Sequence, residues 1–138
     1  MDDVSGLTQL GSQSTEYKYA EPSSDMLETF PNKFPGRQYQ VDLEFPEFTS
    51  LCPKTGQPDF ATIRILYVPN GLCIETKSLK LYLFAWRNSG TFMETITNTI
   101  RDDLVRVLDP LDLEVTGDFN PRGGIKLIVN AGYAKDVD

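Results

Sequence analysis

Strict two-residue alternation between positions 37 and 45 narrows the possible folds more than any other feature of this chain. Tyr39, Val41, Leu43 and Phe45 fall on one side and Gln38, Gln40, Asp42 and Glu44 on the other, a pattern that suits a half-buried strand and not a helix. Pro46 is expected to end that strand, with a connection over 47–58 in which Pro53, Gly56 and Pro58 supply the turns. Alternation returns over 60–68, where Ile63, Ile65 and Tyr67 share a face closed by Pro69-Asn70-Gly71. Between 76 and 108 the period lengthens. Phe92, Ile96, Ile100, Leu104 and Val107 form one apolar stripe, predicting a helix that starts at Gly90 or Thr91. The run 78–86 is apolar nearly all round; Leu79, Leu83 and Trp86 share a side, and Glu75 and Ser78 suit an N-terminal turn, so it reads as an earlier helix. Leu111, Leu113 and Val115 alternate again, as do Ile125, Leu127 and Val129 beyond an expected turn at Asn120-Pro121-Arg122-Gly123-Gly124. Two strands, two helices and two strands predict an α+β unit, a four-stranded antiparallel sheet with both helices on one face. Such a sheet has two unpaired edges, and closing edge to edge into a ring would remove them.

A chain of 138 residues, 40% of them hydrophobic, supports one core. Residues 1–24, rich in Ser, Thr, Gln, Gly and acids, read as a mobile acidic arm, leaving 25–138 as a single domain. Met26, Leu27 and Phe30 have the spacing of a short helical turn docked on the body, with Pro35-Gly36 as its boundary. The first thirty residues hold six acids against one lysine, and the remainder fourteen acids against twelve bases. No broad basic footprint for nucleic acid is left. There is no apolar run of eighteen residues, and Asp2 and Asp3 stand where an export signal would be basic. Neither membrane insertion nor export is expected, and the chain reads as cytoplasmic.

Histidine is absent altogether. That removes imidazole bases, Ser-His and Cys-His nucleophile pairs and histidine-dependent zinc sites. Two cysteines are too few for a four-thiolate centre, so no metal is expected and both read as free thiols. Cys52 lies in a polar turn, where a nucleophile would be reachable; Cys73, between Leu72 and Ile74, reads as a small apolar filler. Asp59 follows Cys52 by seven residues across a proline-held turn. Alone it could be a turn or capping aspartate; beside a nucleophile it is the nearest group able to move a proton. Glu75-Thr76-Lys77-Ser78-Leu79-Lys80 places a carboxylate and two ammonium groups at the mouth of the first helix, and Glu94 opens the second. These charges could be solvated helix ends, or a carboxylate could accept two parallel N–H bonds from the guanidine-like edge of a purine. Arg122 could reach a phosphate, with Gly123 and Gly124 allowing close backbone approach. No Gly-x-Gly-x-x-Gly follows a strand, which excludes a Rossmann dinucleotide site.

Together these segments resemble the single-module, QueF-type NADPH-dependent 7-cyano-7-deazaguanine reductases. The resemblance is carried by residues 47–63 around Cys52-Pro53-Lys54-Thr55-Gly56-Gln57-Pro58-Asp59, by 75–84, by Arg87-Asn88 and by 120–125. It implies a tunnelling-type fold, ring-forming homo-oligomers with active sites between subunits, and reduction of the nitrile of 7-cyano-7-deazaguanine to an aminomethyl group in the queuosine pathway of tRNA modification. By the same resemblance Cys52 would add to the nitrile carbon as a thioimide and Asp59 would donate a proton. The four-electron change requires two NADPH. Ile74, Glu75, Thr76, Met93 and Glu94 would form the deazaguanine pocket, and Lys77, Ser78, Lys80, Arg122, Gly123 and Gly124 would lie toward NADPH. One departure stands out: the family usually has Phe-His-Glu where this chain has Phe92-Met93-Glu94. Two alternatives are an amidine-forming transferase, in which ammonia attacks the same adduct, and a non-catalytic purine- or pterin-binding ring protein. The intact Glu-x-Lys-Ser-x-Lys run speaks against the first and the Cys52 and Asp59 pair against the second.

Overall fold

A computed structural model describes residues 21–136; positions 1–20 of the expected acidic arm lie outside them. The chain forms β1 (Thr29–Pro31), β2 (Val41–Leu51), β3 (Pro58–Val68), β4 (Leu72–Ile74), α1 (Thr76–Phe84), α2 (Met93–Leu108), β5 (Asp112–Arg122) and β6 (Ile125–Ala134). The main sheet has four strands in the order β2-β3-β5-β6, antiparallel throughout. Ile63, Ile65, Leu79, Leu83, Ile96, Ile100, Leu104, Val115 and Phe119 join sheet and helices in one buried core. This is the expected α+β architecture. The uncovered face carries ion pairs, Arg64 to Asp42 at 2.9 Å and Lys126 to Asp118 at 2.5 Å, beside the exposed Phe60 and Ile128. No helix among the described residues is long and apolar enough to cross a membrane.

The helices form where the periodicity places them. Glu75 caps α1, its carboxylate accepting the N–H of Lys77 at 2.6 Å and of Ser78 at 3.0 Å. A 3-10 turn, Ala85–Asn88, follows directly. Helix α2 begins later than expected, after Phe92, which stays 65% exposed at the cap position, so the buried stripe is Ile96, Ile100, Leu104 and Leu108. The predicted helical turn near Met26 is a 3-10 turn, Ser24–Met26, followed by β1. The β1 and β4 pairing was not foreseen, because strands of three residues are too short to show alternation.

Two expectations need correction. Pro46 does not end its strand: β2 continues to Leu51 through a bulge between Phe45 and Phe48. As an edge strand, β2 tolerates a residue with no N–H at that irregularity. Likewise, residues 120–122 belong to β5, which bulges between Phe119 and Arg122. The turn is only Gly123-Gly124, with φ of 58° and 83°, the left-handed pair that a two-residue type I′ hairpin requires. Each bulge adds one residue against its partner strand and so reverses which side chains face the helices. Before the first bulge Leu43 and Phe45 face inward with Ile65 and Ile63; after it Phe48 and Ser50 do, opposite Ala61 and Asp59. After the second bulge Arg122, paired with Ile125, joins that inner face.

Gly117 lies on β5 beneath α2, where an added Cβ would press on Thr97 Oγ1 and come within 2.7 Å of Phe119 Cε2. Gly117→Ala should therefore cost about 1–3 kcal/mol through overpacking, measurable as a lower urea midpoint with an unchanged m-value.

Candidate active site

The two bulges converge at one end of the sheet, where β2 turns into β3. The six residues between these strands form a tight loop: Cys52 N–H donates to Gln57 O at 2.8 Å and Gly56 N–H to Cys52 O at 2.9 Å. The loop is strapped to the segment that joins the helices, because Leu51 N–H donates to Ser89 O and Thr91 N–H to Leu51 O, each at 3.1 Å. Cys52 is half-buried. Its thiol is pulled down to about 7, first by the hydroxyl of Thr55, then by the N–H groups of Thr55 and Lys54, with the Arg122 charge adding to them and burial opposing. A thiol so placed is about half ionised at neutral pH, which is the condition of an activated nucleophile.

Asp59 is 4% exposed on the inner face. Arg122 Nη1 meets its Oδ1 at 2.5 Å, while Arg122 Nη2 donates to Gln57 Oε1. The guanidinium also interacts with the sulfur of Cys52. Cys52, Asp59 and Arg122 thus form one cluster, in which a buried carboxylate is balanced by a cation. By resemblance Arg122 was expected to face NADPH; its partners here are Asp59, Gln57 and the sulfur of Cys52. Gly123 and Gly124 form the exposed hairpin tip beside it, with nothing within 4 Å of either Cβ direction.

The remaining candidates lie in two places. Glu94 is exposed in the first turn of α2 and Met93 packs on the core edge. Both are two or three residues beyond the strap that holds the Cys52 loop. Ile74, Glu75, Thr76, Lys77, Ser78 and Lys80 sit around the start of α1, toward the other end of the sheet. Thr76 lines a cavity with Leu43, Phe45, Ile63, Ile65 and Lys80. Ile74 is buried in β4, its N–H donating to Tyr67 Oη at 3.0 Å. Ser78 is buried too, and its hydroxyl accepts Glu28 N–H at 2.9 Å and donates to Glu75 O at 2.8 Å. Ser78 therefore ties the N-terminal segment to the helix start. Both Glu75 oxygens accept backbone N–H groups, Oε2 from Lys77 and Ser78 and Oε1 from Ser78 alone, so Oε1 keeps a second lone pair. Capping fixes the carboxylate's aim without exhausting it.

Three contributors went unassigned in the sequence. Thr55 and Gln57 act through a loop geometry that no periodicity announces. Arg87, inside a matching stretch but given no role, lines a cavity of about 280 Å³ with Phe45, Glu47, Lys80 and Phe84. Its guanidinium lies 3.8 Å over the Phe84 ring, and its Nε is buried with no hydrogen-bond partner. Cys73 is a buried filler as expected, 3.6 Å from the Tyr39 hydroxyl.

A four-stranded antiparallel sheet backed by two helices is the tunnelling-type fold, and at one end of it an ionisable thiol lies with a buried acid and a fixed cation. The family described as QueF-like protein matches residues 58–138. The chain is 56% identical over 137 residues to the NADPH-dependent 7-cyano-7-deazaguanine reductase of Nitratidesulfovibrio vulgaris strain Hildenborough, covering 99% of this chain and 82% of that one. It is 53% identical over 133 residues to the enzyme so named from Bacillus subtilis strain 168, covering 96% and 80%. Among solved structures, the apo archaeosine synthase QueF-Like shares the fold with a TM-score of 0.62 at 16% identity, over 72% of this chain and 96% of that one. The chain belongs to the QueF-like family.

The thiol assignment makes a direct prediction. Iodoacetamide should label Cys52 with a pH midpoint near 7 and leave the buried Cys73 unlabelled in the native protein. Thr55→Ala removes the largest stabiliser of the thiolate, so the midpoint should rise and labelling at neutral pH should slow, as read by mass spectrometry of the labelled peptide.

Proposed function

We propose that this chain reduces the nitrile of 7-cyano-7-deazaguanine to the aminomethyl product with NADPH, a step of queuosine tRNA modification in the cytoplasm. The observation that carries this reading is the Cys52 thiol held near neutrality beside a buried acid, within a chain more than half identical to reductases of that name. A nitrile carbon is a weak electrophile, and attack by sulfur converts it to a thioimide whose C=N accepts hydride readily. In that step the S–H bond breaks, a carbon–sulfur bond forms, one C≡N electron pair moves to nitrogen, and nitrogen gains the proton. With no histidine in the chain, Asp59 is the group placed to take the proton from sulfur and pass it to nitrogen. Glu75 and Glu94 suit the N–H donors of the deazaguanine edge, one aimed by its capping bonds and the other exposed.

The residues fit a phosphorylated nucleotide. Lys77 is exposed at the mouth of α1, and the cavity beside Lys80 and Arg87 offers a buried N–H without an acceptor and an aromatic wall. NADPH, when bound, supplies two hydrides. Lys77, Lys80 and Arg87 would hold its phosphates, and the open Gly123-Gly124 tip permits close backbone approach. The four-stranded sheet leaves β2 and β6 as unpaired edges, which further copies of the chain can close. This favours a homo-oligomer whose active sites lie between subunits.

NADPH absorbance should fall when the nitrile is added, and a flat trace would remove the reductase reading. Cys52→Ala should abolish both turnover and the covalent adduct seen by mass. Mixing inactive Cys52→Ala with inactive Glu75→Gln should restore activity, to about a quarter for randomly mixed subunits; no recovery would contradict a shared site. Met93→His should leave the pH–rate profile unchanged if Asp59 and water carry all proton transfer, whereas a large gain in turnover would show that they do not.

A further inference from the structure

We infer that Arg122 is a positioning residue for the thiol chemistry: one guanidinium clamps the Asp59 carboxylate, locks the Cys52 loop through Gln57, and faces the sulfur, so it governs how acid and thiol share a proton. This differs from a role confined to the cofactor. It rests on the reading of Cys52 and Asp59 as the reacting pair, but it concerns the protein before any substrate or cofactor binds.

Three observations support it. The Asp59 side chain is 4% exposed, and Arg122 Nη1 meets it at 2.5 Å; a buried carboxylate without that partner would be strongly unfavourable. The other nitrogen, Nη2, engages the side chain of Gln57, whose backbone carbonyl accepts the N–H of Cys52 at 2.8 Å. The guanidinium therefore joins the β5–β6 hairpin to both ends of the reactive loop. Finally, Arg122 reaches the inner face only because β5 bulges before it, and a bulge beside a site commonly re-aims a side chain. Arginine keeps its charge at all accessible pH, so it acts as a fixed cation between the Asp59 carboxyl and the Cys52 sulfur.

The ionisable groups facing the sulfur can be enumerated by element. The loop contributes no side-chain charge, Lys54 acting only through its backbone N–H; β5 contributes Arg122, and Asp59 of β3 bears on the sulfur through the Arg122 guanidinium that it pairs. The strapping segment Ser89, Gly90 and Thr91 contributes none, and Glu94 is the first charge beyond it. Substituting the two central charges should therefore move the thiol in opposite directions.

The test is the pH dependence of iodoacetamide labelling at Cys52 in the full chain without nitrile or NADPH, so a failed reductase assay would not bear on it. Arg122→Gln should raise the midpoint and slow labelling at pH 7 roughly twofold, as the thiolate fraction falls. Asp59→Asn should lower the midpoint, because the Arg122 charge is no longer neutralised. Arg122→Lys, which keeps a cation, should lie between Arg122→Gln and the parent. A merely structural role would loosen the loop and shift both Arg122→Gln and Asp59→Asn the same way; that result, or an Arg122→Gln profile that overlays the parent, overturns the proposal. Should Arg122→Gln fail to fold, the opposite displacements of Asp59→Asn and Arg122→Lys decide the matter, and shifts of equal sign reject it.

Discussion

Side-chain parity is the constraint on which this site depends. In a strand, each residue added without a partner sends every later side chain to the opposite face, and this sheet uses that device twice. The β2 bulge turns Ser50 inward at the mouth of the Cys52 loop, and the β5 bulge turns Arg122 inward opposite Asp59. Without them, regular alternation would direct Ser50 and Arg122 toward the uncovered face. The prolines at 46 and 121 fall within these irregularities, at positions where a ladder N–H is dispensable. What looks like punctuation in the chain is a change of phase.

The electrostatics follow from that placement. A carboxylate almost wholly removed from water needs a fixed cation, and Arg122 provides one at 2.5 Å. The thiolate of Cys52 is favoured chiefly by hydroxyl and amide donors of its own loop, so most of its activation is local. The guanidinium adds a longer-range component and ties the loop to the far hairpin. The Cys52 thiol and the Asp59 carboxyl are thus set by different means, one by hydrogen bonds within its own six-residue loop and the other by a partner more than sixty residues away in sequence.

Much of the fold was legible from period alone. The inward residues of β3, the buried side of α1 and the Ile96, Ile100 and Leu104 stripe of α2 all read directly, because a face buried against one core imprints its spacing on the chain. The ends of β2 and β5 did not, since a proline that terminates a strand and one that accompanies a bulge look the same in sequence. The site was legible in part. Cys52 and Asp59 stood out by type and spacing, but the Asp59 and Arg122 pairing joins residues with no local relation. Ser78 looked like a ligand-facing serine at a helix mouth, and its hydroxyl is taken up in holding the N-terminal segment.

Residue type alone determined the available chemistry: without histidine and with two cysteines, proton and group transfer must run through thiol, carboxylate and amine or guanidine groups. Local periodicity determined the elements and their order, because the spacing of side chains that face the core differs between helix and strand. Tertiary structure decided which groups meet. It placed Arg122 on Asp59 and gave Cys52 its donors, because register and parity accumulate along whole strands and depend on pairing with distant ones.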